Sequence, residues 1–180
     1  MSTIKPFNLN QWIEDNRHLL VPPVGNKTIY TEAENFIVMV VAGPNIRKDY
    51  HYNETEELFY QLEGDIWLNI INEKGEPEEV HIKEGEMFLL PGKVPHSPQR
   101  PEGTIGLVIE KVRVKGDTDG FQWYCENCNH KLYEKHFFLQ DIVHQLPPLM
   151  KSYYDSEEHR TCDKCGTVME VPAPNVITKK

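Results

Sequence analysis

The chain has 180 residues, enough to bury one core with a small appendage but too few for two full-sized domains. Its formal charge of -9, from 19 basic and 28 acidic side chains, would repel a phosphate backbone, which excludes nucleic acid as a favoured partner. The longest aliphatic run, at 36–41, is too short to span a bilayer, and no apolar signal for secretion begins the chain, so we expect a cytoplasmic protein without a membrane partner.

The first predicted element is a short helix over 10–20, with Asn10 as a plausible cap and Pro22-Pro23 as its stop. From about 27 to 115, short runs rich in Val, Ile, Phe, Tyr and Leu alternate with turn residues, which is typical of an all-β domain. The predicted strands are 36–41, 57–62, 65–71, 87–90 and 106–112. Strands of this length and spacing favour a sandwich or a barrel.

Turn signals separate these strands. Asn72 to Gly75 predicts a hairpin tip, and three Glu-Gly pairs, at 63–64, 84–85 and 102–103, predict turns in which the glycine takes a positive φ. The run 116–120 (GDTDG) is the clearest linker. We therefore predict three segments: a main domain with the N-terminal helix at 1–115, an extension at 116–170 and a disordered tail at 171–180. In the extension we predict a short helix over 139–145 that Pro147 and Pro148 end.

The four cysteines form two pairs with the same two-residue gap, Cys125 with Cys128 and Cys162 with Cys165. Pairs with this spacing make a tetrahedral thiolate cage for a metal. Two disulfides are the alternative, but the repeated gap and the missing secretion signal favour a metal in a reducing compartment. We assign this site a structural role, and its ligands suit iron as well as zinc.

A second candidate metal site consists of His51, Glu57 and His96, which lie beside predicted strands. Two imidazoles and one carboxylate are the ligand set of ferrous oxygenases, and they leave positions open for substrate and dioxygen. In a small barrel the inward side chains of neighbouring strands converge, so distant ligands can meet. Asp49 is a candidate fourth ligand, and Glu56 competes with Glu57 because alternation turns only one of them inward. The other histidines stay unassigned: His18, His81, His130, His136, His144 and His159.

Each ligand-bearing segment also carries an arginine. Arg47 precedes His51 by four residues, and Arg100 follows His96 by four. A guanidinium fork matches a carboxylate, and a buried arginine without a partner would be costly, so we predict an anionic substrate. Pairing with surface glutamates is the alternative. Glu110 interrupts an apolar strand and either faces solvent or, inside the pocket, accepts hydrogen bonds from the substrate or acts as a base.

The residues around these ligands resemble the two signature motifs of the cupin superfamily. The first motif corresponds to Gly43, Asp49, His51, Glu57 and Gly64, and the second to Gly85, Pro91 and His96. Asp49 stands where cupins usually have a further histidine, so a three-His-one-Glu site becomes a two-His-one-Glu site. The resemblance implies an all-β fold, the cupin double-stranded β-helix or jelly-roll barrel, with short flanking helices and a small C-terminal four-cysteine knuckle.

Six segments together resemble the 3-hydroxyanthranilate 3,4-dioxygenase family, in its single-cupin form with a four-cysteine extension, over about 6–166. They are 22–26, 47–51, 56–62, 88–91, 96–101 and 119–125. The resemblance implies Fe(II) at His51, Glu57 and His96 and a second, rubredoxin-like iron at the cysteines. The further implied roles are Arg47 and Arg100 on the substrate carboxylate, Glu110 on its polar groups, and Asn26, Phe59 and Pro98 in the pocket wall.

The implied reaction is the opening of the ring of 3-hydroxyanthranilate by O2 to 2-amino-3-carboxymuconate semialdehyde, which closes to quinolinate on the kynurenine route to NAD. The substrate would chelate the iron through its hydroxyl and its amine. The resemblance also implies a homodimer. The alternatives are a cupin metalloenzyme for another aminophenol or a thiol, a cupin isomerase, and a cupin sensor without enzymatic activity.

Overall fold

The structure is a computed structural model that describes residues 5–21, 25–140 and 142–172, with the side chains at 142 and 143 left aside. Its first strands are β1 (Asn26–Thr28), β2 (Phe36–Ala42), β3 (Asp49–Tyr52), β4 (Glu57–Glu63), β5 (Ile66–Ile71) and β6 (Pro77–Ile82). They are followed by β7 (Met87–Leu90), β8 (His96–Gln99), β9 (Ile105–Lys111), β10 (Asp119–Tyr124) and β11 (Lys131–Phe137). The helices are α1 (Leu9–Asn16), α2 (Ile142–Tyr154) and α3 (Glu157–Arg160), and a short 3-10 turn (Arg17–Leu19) follows α1.

The strands form two antiparallel sheets, with orders β1-β2-β9-β4-β7 and β11-β10-β3-β8-β5-β6. One apolar cluster lies between them, because it takes Met39, Phe59 and Val108 from the first sheet and Ile66 and Leu68 from the second. This is the predicted double-stranded β-helix. The five predicted strands are confirmed, each to within one residue at either end.

The predicted turns are also present. In the β5–β6 hairpin the side-chain oxygen of Asn72 accepts hydrogen bonds from the backbone N–H groups of Lys74 and Glu76, both at 3.0 Å. Gly75 in this tip has a φ of 78°, a value that costs a glycine little but strains other residues. Short-range turn chemistry therefore sets the register of the hairpin.

The N-terminal helix exists, but its predicted cap was wrong. The side chain of Asn8, not Asn10, accepts the hydrogen bond from the Gln11 N–H, so α1 begins at Leu9. Ile13 of this helix packs with Leu20, Ile29, Val40, Ala42 and Ile105 on the outer side of the first sheet. The predicted stop at Pro22-Pro23 lies outside the described residues. No helix among the described residues has the length and apolar character to cross a bilayer.

The predicted helix stop at Pro147 and Pro148 was also wrong, since both prolines lie inside α2. They face solvent, where water can satisfy the carbonyl groups that their missing N–H groups leave free. The other side of the helix places Leu146, Leu149 and Tyr153 in an apolar cluster with Trp123. The burial of that side outweighs the lost hydrogen bonds.

The extension is hydrogen-bonded to the rest of the fold through β10. This strand pairs with β3 on one side and with β11 on the other, and it begins inside the predicted linker. The Trp123 ring of β10 stacks on Tyr153 of α2 at a centroid distance of 4.1 Å. The division of the chain at 115/116 stays a prediction. The tail prediction falls mainly on 173–180, outside the described residues.

Candidate active site

The structure brings His51, Glu57 and His96 together. His51 and His96 are directly paired between β3 and β8, and Glu57 begins β4. One ligand atom of each residue lies within 4.8 Å of the others, and His96 Nε2 is 2.9 Å from Glu57 Oε2. Strand pairing thus forms a three-donor group with one carboxylate and two imidazoles.

The charges of this group suit a divalent cation. Burial alone would raise the pKa of Glu57, but the neighbouring His96 and His51 outweigh it and lower the pKa to about 2, so the carboxyl is ionised at neutral pH. Burial also lowers the pKa of His51, which favours the neutral imidazole that a metal requires. His96 Nδ1 donates to the Val94 carbonyl oxygen at 3.0 Å in the tautomer that leaves Nε2 facing Glu57. The donor set therefore fits a metal ion.

The two competing carboxylates lie elsewhere. Glu56 is exposed, whereas Glu57 is buried. Asp49 is also buried, but it pairs with Arg47 and is not among the clustered ligand atoms of the described residues.

The two predicted arginines differ in their partners. Arg47 is paired with Asp49, with Nε 3.0 Å from Oδ2. Arg100 is only 1% exposed, and among the described residues its guanidinium makes one hydrogen bond, a long one, with Nη1 3.4 Å from the Gln61 side-chain oxygen. Gly106 makes room for it, because a Cβ at that position would lie 3.2 Å from Arg100 Nη1. Burial lowers the pKa of Arg100 to about 10, so its charge lacks full compensation within the described residues.

Glu110 faces the barrel interior rather than solvent. It is 5% exposed and lies directly opposite Glu57 in the β4–β9 register. Burial and the nearby Glu57 raise the pKa of Glu110 to about 7, although Arg113 opposes them. Arg113 Nη1 approaches Glu110 Oε2 to 2.5 Å as an ion pair, yet no donor of the described residues meets this oxygen with hydrogen-bond geometry. The oxygen can therefore accept a hydrogen bond from a ligand.

All these groups line one cavity of about 100 Å³. Its wall includes every residue predicted for the catalytic site and pocket: Asn26, Arg47, His51, Glu57, Phe59, His96, Pro98, Arg100 and Glu110. Apolar side chains complete the wall, and two of them, Leu139 and Leu146, come from the extension.

Three residues of the site were missed by sequence reasoning. Asp119 Oδ1 lies 2.7 Å from His51 Nε2, Arg113 contacts both Asp119 and Glu110, and the Phe121 ring stacks on His51 at 5.1 Å. Asp119 and Phe121 stand within the segment 119–125 that carried the family resemblance, but nothing local marked them. Their contact with His51 depends on the pairing of β10 with β3.

The four cysteines form a second cluster, with their sulfur atoms within 4.8 Å of one another. The Cys125–Cys165 and Cys128–Cys162 sulfur distances are 3.6 and 3.5 Å, too long for disulfides and close to the ~3.8 Å edge of a tetrahedron with ~2.3 Å metal–sulfur bonds. Each pair sits in a turn whose fourth residue after the first cysteine, Asn129 or Gly166, has a positive φ. The geometry fits a tetrahedral metal rather than the disulfide alternative.

Comparisons with known proteins identify the family of the chain. A family model described as 3-hydroxyanthranilic acid dioxygenase matches residues 1–154. The protein named 3-hydroxyanthranilate 3,4-dioxygenase of Xanthomonas euvesicatoria pv. vesicatoria is 53% identical over 169 residues, which cover 94% of each chain. Its namesake from Burkholderia cenocepacia is 50% identical over 165 residues, 91% of this chain and 92% of that one.

One solved structure shares the fold. Hydroquinone 1,2-dioxygenase from Sphingomonas sp. TTNP3, in complex with 4-nitrophenol, is similar with a TM-score of 0.50 and 18% identity, over 63% of this chain and 34% of that chain. At this identity the likeness concerns the fold alone.

Proposed function

The chain belongs to the 3-hydroxyanthranilic acid dioxygenase family, and we propose that His51, Glu57 and His96 hold the Fe(II) with which it opens the ring of 3-hydroxyanthranilate. It is a ring-cleaving dioxygenase that takes its substrate and O2 to 2-amino-3-carboxymuconate semialdehyde. The observation that carries the assignment is one small cavity that combines the three donors with a buried, incompletely paired guanidinium. Bound Fe(II) would supply the redox chemistry that O2 needs to react with the ring.

Arg100 and Arg47 would bind the substrate carboxylate. The buried Arg100 has no carboxylate in ion-pair contact among the described residues. A substrate carboxylate placed against its guanidinium would complete its hydrogen bonds at a site from which water is largely excluded. Arg47 is held by Asp49, and its backbone carbonyl accepts hydrogen bonds from Gln99 and Ser97 of β8. This bracing fixes Arg47 against the strand that carries His96, so both arginines can orient the ring.

Glu110 would act on the ring substituents. Its Oε2 atom is buried in an ion pair with Arg113, but no donor of the described residues meets it with hydrogen-bond geometry, and Glu110 lines the cavity beside Glu57. The hydroxyl or the amine of the substrate can donate to this oxygen. Because the pKa of Glu110 is about 7, the carboxylate can also accept a proton from the hydroxyl at neutral pH.

The remaining wall excludes water and shapes the cavity. Phe59 and Phe121 lie on either side of the ligand group, with Phe59 in edge contact with His96 and Phe121 stacked on His51. Pro98 and Asn26 contribute further parts of the wall. A bound ring that displaces water from this cavity would have stronger contacts with the arginines and Glu110.

Several further properties belong to the same proposal. The four cysteines would hold iron or zinc in a structural role, supported by their tetrahedral sulfur distances. The family relationship supports a homodimer in the cytoplasm that serves quinolinate synthesis.

The test begins with protein loaded anaerobically with Fe(II) and mixed with 3-hydroxyanthranilate before O2 is admitted. We expect one O2 consumed per ring opened, a transient absorbance of the semialdehyde, and quinolinate as the final product. His51→Ala should abolish all three signals while the circular dichroism spectrum stays unchanged. A metal-loaded, folded protein that opens other aminophenols but not this one would contradict the substrate, and one that opens none would support a binding function instead.

A further inference from the structure

We propose that Arg113 is a positioning residue for this reaction: it holds Glu110 and Asp119 in place, and through Asp119 it orients the ring of His51. The inference deepens the proposed function and rests on it for the roles of Glu110 and His51. None of the sequence motifs or comparisons assigns a role to Arg113 or Asp119. A continuous chain of buried polar contacts runs from Glu110 through Arg113 and Asp119 to His51.

Arg113 bridges two carboxylates from opposite sides. Its Nη1 lies 2.5 Å from Glu110 Oε2, and its Nη2 lies 2.8 Å from Asp119 Oδ1. Nε adds contacts of 3.2 Å to both Asp119 oxygens, so the pair is bidentate. The side chains are 11% exposed for Arg113, 5% for Glu110 and 1% for Asp119, which means that solvent screens these contacts little.

Asp119 continues the chain of contacts to His51. The same Oδ1 atom that meets Arg113 lies 2.7 Å from His51 Nε2. Asp119 is not a member of the three-donor group of the described residues, and its contact with the protonated Nε2 leaves Nδ1 as the His51 nitrogen with a free lone pair for a metal. A carboxylate behind a metal-binding imidazole fixes the orientation and the tautomer of the ring. Phe121, two residues further along β10, stacks on the same ring and limits its rotation.

An arginine is required at this point because three carboxylates crowd one side of the cavity. Glu57 and Glu110 are directly opposite each other on the neighbouring strands β4 and β9, and Asp119 lies against His51. Without a cation between them, repulsion would move Glu110 away from the ring substituents. A guanidinium has enough donors in a fixed fork to hold two carboxylates, whereas an ammonium of the same charge is a single point.

The chain geometry supports a fixed arrangement. Arg113 stands two residues after β9 and Asp119 begins β10, and the loop between them is closed by its own hydrogen bonds. Val114 N–H donates to Asp117 Oδ2 at 2.8 Å, and Asp117 N–H donates to the Val114 carbonyl at 3.0 Å. Arg113 thus ties the ends of two strands, one bearing Glu110 and the other Asp119.

The experiment compares Arg113→Gln with Arg17→Gln as a matched control. Arg17 also bridges two carboxylates, Glu14 and Glu63, but at the surface and away from the cavity. The cysteine site is filled first with zinc, and Co(II) binding to the remaining site is measured by calorimetry and by its absorption spectrum, without substrate. We expect Arg113→Gln to weaken Co(II) binding about 10- to 100-fold and to change the spectrum, with Arg17→Gln unchanged.

The kinetic measurement tests the contact of Arg113 with Glu110. With Fe(II) and 3-hydroxyanthranilate, Arg113→Gln should lower kcat about 10- to 100-fold at saturating metal, because Glu110 is no longer held against the ring. Arg113→Lys restores the charge and should keep the fold, but it should recover only part of the Co(II) affinity and of kcat.

A double-mutant cycle separates positioning from stability alone. If Arg113 acts through Asp119, the loss of Co(II) affinity in Arg113→Gln/Asp119→Asn should be smaller than the sum of the two single losses. Additive losses, or a folded Arg113→Gln with the Co(II) affinity, spectrum and kcat of the unchanged protein, would overturn the proposal. If Arg113→Gln does not fold, Arg113→Lys decides by the same three readouts. Co(II) binding can be measured without turnover. If the protein without substitutions has no dioxygenase activity, the proposed function is contradicted, but the effect of Arg113 on metal binding through His51 can still be measured.

Discussion

Arg100 carries a charge that folding buries without placing a carboxylate in ion-pair contact among the described residues. Burial of a charge is costly, and it lowers the pKa of Arg100 to about 10. Burial also perturbs Glu110, whose pKa is raised to about 7 even though Arg113 forms an ion pair with it. Side chains whose pKa is strongly shifted by the fold are candidates for binding a substrate or reacting with it. Two predictions follow at the scale of single residues.

The first concerns the substrate carboxylate. Arg100→Met should raise KM for 3-hydroxyanthranilate roughly 30-fold or more, because a buried charge-assisted contact is worth about 2–5 kcal/mol. Turnover of 2-aminophenol, which has the same reacting groups but no carboxylate, is the internal control and should change little. An equal loss of kcat/KM for both compounds would mean that Arg100 supports the fold of the site and does not bind the carboxylate.

The second concerns pH. Glu110 can accept a proton only when it is ionised, so kcat/KM should fall as pH decreases through its pKa of about 7. A bound divalent ion favours the ionised form, which moves this limb of the profile to pH 7 or below. The profile of kcat/KM for Glu110→Gln should be low and flat over the same range. Retention of the acidic limb in that variant would assign it to another group.

At the scale of elements, β10 connects the two metal sites. Phe121 contacts the ring of His51, Trp123 packs against Tyr153 of α2, and Cys125 follows directly after the strand. The Lys48 ammonium adds a contact of 2.8 Å to Glu126 between the first two cysteines. The extension is thus joined to the barrel by a paired strand, and its stability and that of the barrel should be linked.

The third prediction tests the role of the cysteine site. Cys165→Ser removes one sulfur at an exposed position. The loss of stability should therefore come from the loss of the metal and not from the burial of a hydroxyl. A structural thiolate site can contribute on the order of 10 kcal/mol to folding, and Tm should therefore fall by well over ~10 °C. The specific activity of the folded fraction at low temperature should be retained. His130→Gln, which removes an ion pair with Asp163 beside the site, is the control and should keep the metal. A well-folded Cys165→Ser protein without turnover would contradict a structural role.

The barrel encloses a group of charged side chains that do not fully neutralise one another. The cavity and its rim contain the carboxylates of Asp49, Glu57, Glu110 and Asp119 and the guanidinium groups of Arg47, Arg100 and Arg113. With four acidic and three basic side chains, these residues together have a net negative charge when all are ionised. A divalent cation and a substrate monoanion together would bring that charge to zero.

The fourth prediction follows from this balance. A metal that binds only the folded state at 100 times its Kd stabilises it by about 2.7 kcal/mol, which for a chain of this length raises Tm by about 5–10 °C. Calorimetric scans with the cysteine site already filled should show this rise on addition of Co(II). His96→Ala should fold but show no rise. An equal rise in that variant would place the stabilising ion elsewhere.

The local sequence predicted most of what depends on neighbours along the chain. The strands at 36–42, 57–63 and 105–111 were predicted because alternating apolar residues and turn residues act over a few positions. The hairpin tip at Asn72 was predicted for the same reason. Two local predictions were wrong. The cap of α1 is Asn8 and not Asn10, and the two prolines lie inside α2 instead of ending it, because burial of the opposite helix side outweighs local preference.

Short motifs and the periodicity of apolar residues were enough to predict the fold class, the family and the types of donor proposed for both metal sites. The folded chain was needed to show that Glu57 is buried and Glu56 exposed, that Arg100 lacks a carboxylate partner among the described residues, and that Arg113 and Asp119 join the site. The physical reason is that contacts between strands far apart in sequence depend on register and burial across both sheets. Such contacts leave no periodic trace in the residues that make them.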